Sequence, residues 1–138
     1  MSISEHISPL IGRWVIAYFF LGEAWARLAG FDATTAMLRA QHVPAAPALL
    51  VVALAVMALG GLSLVFGLQT RHGAMLLFAF TVIVSVLLHA YWTAQNATDR
   101  AADYDIFIRN IAIAGGLLFL VGMGPGPLAL DNAGRKKR

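Results

Sequence analysis

Four stretches of this 138-residue chain are apolar for long enough to cross a bilayer, and nearly every charge falls at their ends or in the turns between them. A spanning helix takes about 20 predominantly apolar residues. Four such helices with their turns use up the chain, so residues 1–138 are predicted to form a single integral membrane domain with no length left for a separate catalytic one. Any chemistry then belongs in or beside the helices. Composition agrees, with 59 % hydrophobic residues, 12 % charged residues and a mean hydropathy of +0.75, whereas soluble domains carry about 25 % charged residues.

The predicted fold is all-α: a bundle of four transmembrane helices with spans at about 9–30, 48–68, 73–92 and 106–123 and a short interfacial amphipathic helix between the first two. The first span is the least apolar, since Arg13, Glu23 and Arg27 interrupt it. Its opening, SISEHISPL, has no basic start and no small-x-small site follows, so it reads as a retained helix and not as a cleaved leader. In FDATTAMLRAQHVP, Asp32 is suited to N-cap a short helix that turns Met37 and Leu38 to lipid and Arg39 and Gln41 to water; a polar loop is the alternative.

No residue from Val43 to Thr70 is ionisable, and Pro47 suits the first turn of the second span. There Ala53, Met57, Gly60, Leu64 and Gly67 recur at spacings of 4, 3, 4 and 3, a seam whose small residues admit a neighbouring backbone. Gly60-Gly61 and Gly115-Gly116 each open a GGL-x4-G stretch and are assigned to helix packing; duplication and coincidence account for the echo equally well. In the third span Thr81, Ser85, His89 and Trp92 share one face, which is predicted to point inward.

Orientation follows from Lys and Arg in short loops. Arg13, Arg71, Arg135, Lys136, Lys137 and Arg138 fall on one side and Arg27, Arg39, Arg100 and Arg109 on the other, which predicts both termini in the cytoplasm. The final RKKR reads as an anchor at an anionic leaflet and not as a nucleic-acid surface, because no groove-sized basic face lies outside the membrane. The NAT at Asn96 matches a glycosylation sequon, a pattern of only three residues.

With this topology Glu23, Arg27, His89 and Arg109 gather toward the extracytoplasmic leaflet and form the candidate site, with Asn110, Trp25 and Trp92 beside them. Charges at membrane depth are costly and tend to pair, snorkel or serve a function. Glu23 and Arg27, at i and i+4, can neutralise each other. His89 is either a satisfied interfacial side chain or a ligand. Arg109 and Asn110 offer a guanidinium fork and an amide to a lipid phosphate or a quinone oxygen, or Arg109 pairs with Glu23 or Asp105 and only pins its helix. Trp14, Tyr18 and Trp25 line an apolar cleft or belong to the aromatic belt, as does Trp92.

Cysteine is absent, which excludes thiol-disulfide chemistry by the chain itself and any thiolate-held metal or iron-sulfur cluster. No nucleotide loop, Ser-His-Asp constellation, carboxylate dyad, metal site or bis-histidine haem pair is apparent, so no autonomous catalytic activity is predicted.

LIGRW near the start, ARL around Arg27, GGLSLVFGLQTR closing the second span, His89 closing the third, IRNIAI opening the fourth and GPGPLALD near the end follow one another in an order that resembles the DoxX family of small four-helix membrane proteins. The resemblance covers nearly the whole chain. It implies an accessory subunit of a membrane oxidoreductase or respiratory-type complex, placed near quinone or another lipophile, with membrane lipids and other subunits or further copies as partners. A non-catalytic structural or assembly protein is the alternative. Arg27, Arg109, Asn110 and Gly60-Gly61 fit the family pattern, but Met57 stands where the resemblance places a glutamate.

Overall fold

The computed structural model describes residues 3–133, so the basic run 135–138 lies outside the described residues. Among the described residues six α-helices follow in order: α1 (Ile3–Ala29), α2 (Phe31–Ala40), α3 (Ala46–Phe66), α4 (Thr70–Leu88), α5 (Ala97–Met123) and α6 (Leu130–Ala133), with a 3-10 turn at Tyr91–Thr93 between α4 and α5. No strand occurs among the described residues. α1 packs on α3, α3 on α4 and α4 on α5, while α1 and α5 touch only lightly. One core cluster draws on all four long helices, through Ala17, Phe20 and Ala24 of α1, Met57 and Leu64 of α3, Ala74 and Leu77 of α4, and Leu117 and Leu120 of α5.

Among the described residues three segments are long and apolar enough to cross a membrane: Ala46–Phe66, Thr70–Thr93 and Ala97–Met123. Only 28 %, 28 % and 22 % of their apolar windows are buried within the chain, so most of each helix turns apolar side chains outward, as a lipid-facing surface requires. The first predicted span does not meet the same measure. α1 has the length, at 27 residues, but Arg13 and Glu23 dilute its apolar stretch.

Helix ends differ from the sequence expectation in several places, each for a local reason. α1 begins at Ile3, upstream of Pro9, with Glu5 in its first turn where the helix dipole favours an acid. α2 is N-capped by Gly30 without any side-chain cap, so Asp32 lies inside the first turn and is not the cap. Of its apolar pair, Leu38 is buried with Ala46 and Leu50, and Met37 is exposed. α4 starts at Thr70 and ends at Leu88; Thr81 and Ser85 are buried, but the helix stops at His89, and Trp92, on the 3-10 turn, is exposed and not inward. α5 begins at Ala97, well before the predicted 106, because Asn96 caps it: its Oδ1 accepts from the Asp99 N–H at 2.8 Å.

Close approach along α3 has a direct geometric sign. A Cβ on Gly60 would lie 2.5 Å from Leu77 Cγ, and one on Gly61 would lie 2.8 Å from Leu21, so α4 and α1 press on adjacent glycines. Ala53 packs at the edge of the core. Gly116 faces Ile16, whereas Gly115, one residue earlier, is exposed and a Cβ there would meet nothing. Gly115 thus packs on nothing within the chain itself: the turn of α5 that brings Gly116 to α1 swings Gly115 outward.

Candidate functional site

The sequence-predicted residues lie at the end of the fold where α1 and α4 finish and α5 begins. Glu23 and Arg27 form an ion pair within α1, and Arg27 also donates to the Glu23 carbonyl at 3.2 Å. His89, the C-cap of α4, places Nδ1 3.3 Å from Asp103 Oδ1 on α5. That partner exists only because α5 starts early and carries Asp103 on a helical turn. Arg109 is exposed with its guanidinium carbon 5.9 Å from the centre of the Phe19 ring, a cation–π contact between α5 and α1. Among the described residues no hydrogen bond or ion pair joins Arg109 to Glu23 or Asp105.

Asn110 is turned the other way, into the bundle. It is 8 % exposed, and its carboxamide makes no hydrogen bond among the described residues. Counting down the antiparallel α4 and α5 from the His89–Asp103 pair brings Asn110 roughly level with Thr81. The hydroxyls of Thr81 and Ser85 donate back to the Leu77 and Thr81 carbonyls, at 2.7 and 2.6 Å. Their lone pairs leave the interior mildly polar at this depth.

Trp25 is 71 % exposed and Trp92 53 %, so both sit on the outer surface. Tyr91, missed in the sequence reading, is the hub of an aromatic cluster: its ring lies 5.1 Å from Trp92, 5.2 Å from Tyr104 and 5.4 Å from Phe107, all edge to face. A shallow groove of about 320 Å³ runs beside it, bounded by Tyr91, Tyr104 and Arg100. No group of three or more His, Asp or Glu side chains suited to a metal ion occurs among the described residues.

The opposite end holds what sequence reasoning missed most. Arg13, counted there only as a topological charge, is 1 % exposed. It donates from Nη1 to the Pro125 carbonyl at 2.8 Å and from Nη2 to the Leu128 carbonyl at 2.9 Å, gripping the segment after α5. Asp131 holds the same segment to α4: its oxygens accept from the backbone N–H groups of Gln69 and Thr70 at 2.6 and 2.9 Å, and its own N–H donates to the Gly67 carbonyl. Burial pushes the Asp131 carboxyl up, but the Thr70 and Gln69 N–H donors and the Arg13 charge outweigh it and hold the group below the ordinary carboxylate value. Gly67 and Gly126, both at positive φ, leave the room this needs, Gly67 against Arg13 and Ala129 and Gly126 against Pro9. A signal was present in the sequence: Arg13, Ala17, Phe20 and Ala24 recur at spacings of 4, 3 and 4, which marks Arg13 as inward.

A family model, DoxX, matches residues 8–90. The chain belongs to the DoxX family. Among curated relatives, this DoxX chain is 29 % identical to the inner membrane protein YqjF of Escherichia coli K12 over 96 % of both chains. It is 28 % identical to the inner membrane protein YphA of the same organism, over 89 % of this chain and 87 % of that one. A Surfeit locus protein 4 homolog of Drosophila melanogaster is 31 % identical over 52 % of this chain and 27 % of its own. No solved structure matches. With apolar helices turned outward and inner-membrane relatives aligned nearly end to end, this DoxX protein is a membrane protein. The family match takes in Arg13, Glu23, Arg27 and His89 and stops before Arg109, Asn110 and Asp131. Met57, where the resemblance places a glutamate, is buried in the core with a thioether that exchanges no proton.

Proposed function

We propose that this DoxX-family protein is a four-pass accessory subunit of a membrane oxidoreductase or respiratory-type complex, with both termini in the cytoplasm, which performs no reaction alone and holds a quinone or another carbonyl-bearing lipophile near the extracytoplasmic leaflet. The observation that carries the binding reading is Asn110, nine-tenths buried with an unpaired carboxamide. Its amide atoms are not sealed off as Arg13 Nε and the Thr35 and Thr70 hydroxyls are, so a ligand oxygen reaching the bundle can accept from the amide. Arg109, one residue away and without an acid partner, supplies a second donor at the lightly packed boundary between α1 and α5. Lipid and neighbouring subunits, or further copies of this chain, are the partners of its apolar outer surface. The oxidoreductase setting rests on the family resemblance.

A purely structural or assembly role is the second reading, favoured by the local neutralisation of Glu23 by Arg27 and the contact of His89 with Asp103. Organic extraction of the mildly solubilised protein, followed by mass spectrometry, separates the two. The binding reading requires a lipophile bound near stoichiometrically to the wild type and lost from Asn110→Leu and Arg109→Ala proteins that still fold. If the wild type yields only bulk phospholipid and Asn110→Leu melts higher, the amide has no ligand and the structural reading stands.

A further inference from the structure

The four long helices are packed unevenly, and this decides how a lipophile can reach Asn110. A Cβ on Gly60 would lie 2.5 Å from Leu77 and one on Gly61 2.8 Å from Leu21, so the α3–α4 and α1–α3 seams are shut by close approach. α4 packs on α5 more extensively still. At the aqueous end the edge-to-face rings of Tyr91, Trp92, Tyr104 and Phe107 and the His89–Asp103 contact knit the end of α4 to the start of α5. Between α1 and α5 the fit is looser: a Cβ on Gly116 would stand 3.4 Å from Ile16, and the two helices touch only lightly.

Arg109, next to Asn110 on α5, bridges this loose seam by holding its guanidinium carbon 5.9 Å from the centre of the Phe19 ring. Phe19 is half-buried and meets Phe20, a core residue, edge to face at 5.2 Å. One turn along α1 from Phe19, Glu23 would be an acid for Arg109, but Arg27 already occupies it. The bridge is therefore an exposed cation over a ring, a weak attraction that yields without stranding a buried charge. A long guanidinium side chain near a helix end is also able to swing to the headgroup layer and leave the ring.

We infer that the α1–α5 seam is the lateral entrance from the bilayer to Asn110 and that Arg109 on Phe19 is its latch. The inference rests on the Asn110 reading above and adds the class of ligand, a carbonyl-bearing ring on a single aliphatic tail. The ring passes the latch to the amide. The tail stays in lipid along the outer side of the seam, where Val15, one turn before Phe19, and Phe119, one turn after Gly116, are 63 % and 68 % exposed.

The chain has no cysteine, so two introduced thiols can be bridged without side reactions. In Ile16→Cys/Gly116→Cys the thiols face each other across the seam, because the first change removes the Cδ1 that the second would meet. The probe is decylubiquinone, added to the full-length protein in mild detergent and followed by tryptophan quenching, with Asn110→Leu protein as the baseline. A short bis-maleimide bridge is expected to slow binding and release at least about tenfold while Kd stays within about twofold, since the site persists and only its opening is tied. Phe19→Leu should speed both rates about two- to fivefold, the worth of a cation–π contact at an exposed site. Unchanged rates in the bridged protein, relative to single-cysteine proteins treated alike, overturn the entrance and leave the Asn110 reading standing. Unchanged rates in Phe19→Leu overturn the latch. Quenching of the wild type that only matches the Asn110→Leu baseline overturns the Asn110 reading and the entrance with it.

Discussion

Arg13 and Asp131 hold the same segment after α5 from opposite sides without bonding to each other: the arginine grips carbonyls at Pro125 and Leu128, and the aspartate stitches the segment to the amides that open α4. The segment after α5 is thereby part of the bundle. Removing Arg13 strands two carbonyls and leaves a void, so Arg13→Ala should destabilise the protein by about 3 kcal/mol, read as a lower melting temperature in mild detergent. Deleting residues 125–138 should cost a comparable amount, and the two losses should not add, since each removes one half of the same contact. Strict additivity would mean that Arg13 acts through something other than the loop.

Asp131 makes this stability depend on pH. Its carboxyl is depressed in the folded protein, so on acidification the unfolded chain takes up the proton first, near its ordinary value of about 3.9. The contribution is present above that value and is lost as pH falls through the lower folded value. Melting temperature should therefore drop below about pH 4 in the wild type, and more gently in Asp131→Asn, which starts lower. Parallel profiles would assign the acid sensitivity to another carboxylate.

The two glycine pairs should respond in opposite senses. At Gly60 a methyl meets Leu77, so Gly60→Ala should cost about 1–3 kcal/mol through overpacking. At Gly115 a methyl meets nothing, and Gly115→Ala should gain up to about 1 kcal/mol of helix propensity. Thermal melts of the two variants, run side by side, test the seam; equal responses would mean α4 does not press on Gly60.

Asn96 is a cap first. Asn96→Ala should cost about 1 kcal/mol and raise amide hydrogen exchange across residues 97–105 while leaving the apolar part of α5 protected. Unchanged exchange would show that the His89–Asp103 contact alone orders this turn.

For topology, a reporter active only outside the cytoplasm should give no signal when fused after Arg138, as the surplus of Lys and Arg on the terminal side requires. A strong signal there would invert the protein and move the Asn110 end to the cytoplasmic leaflet.

Which residues form helices was legible because apolar runs without charge have few other uses at this length, and α3 departs from its predicted ends by only two residues at each. Which face of each helix looks inward was much less so. Lipid is as apolar as a packed core, so α3 shows no contrast between its sides, and only the small residues at Gly60 and Gly61 mark the seam. Partner choice in the polar cluster turned on a helix start: α5 begins at Ala97, and this brings Asp103 to His89 and leaves Arg109 over Phe19 and not beside an acid. The Arg13 loop was hidden for a different reason, since carbonyl acceptors have no sequence signature and any residue type can supply them.

The cap of α4 comes from a residue synthesised after all four long helices. During translation the turn at Gln69 and Thr70 therefore waits, with its amides open, until Asp131 has left the ribosome. A chain that ends between residues 124 and 130 contains the whole of α1 to α5 and lacks this closure.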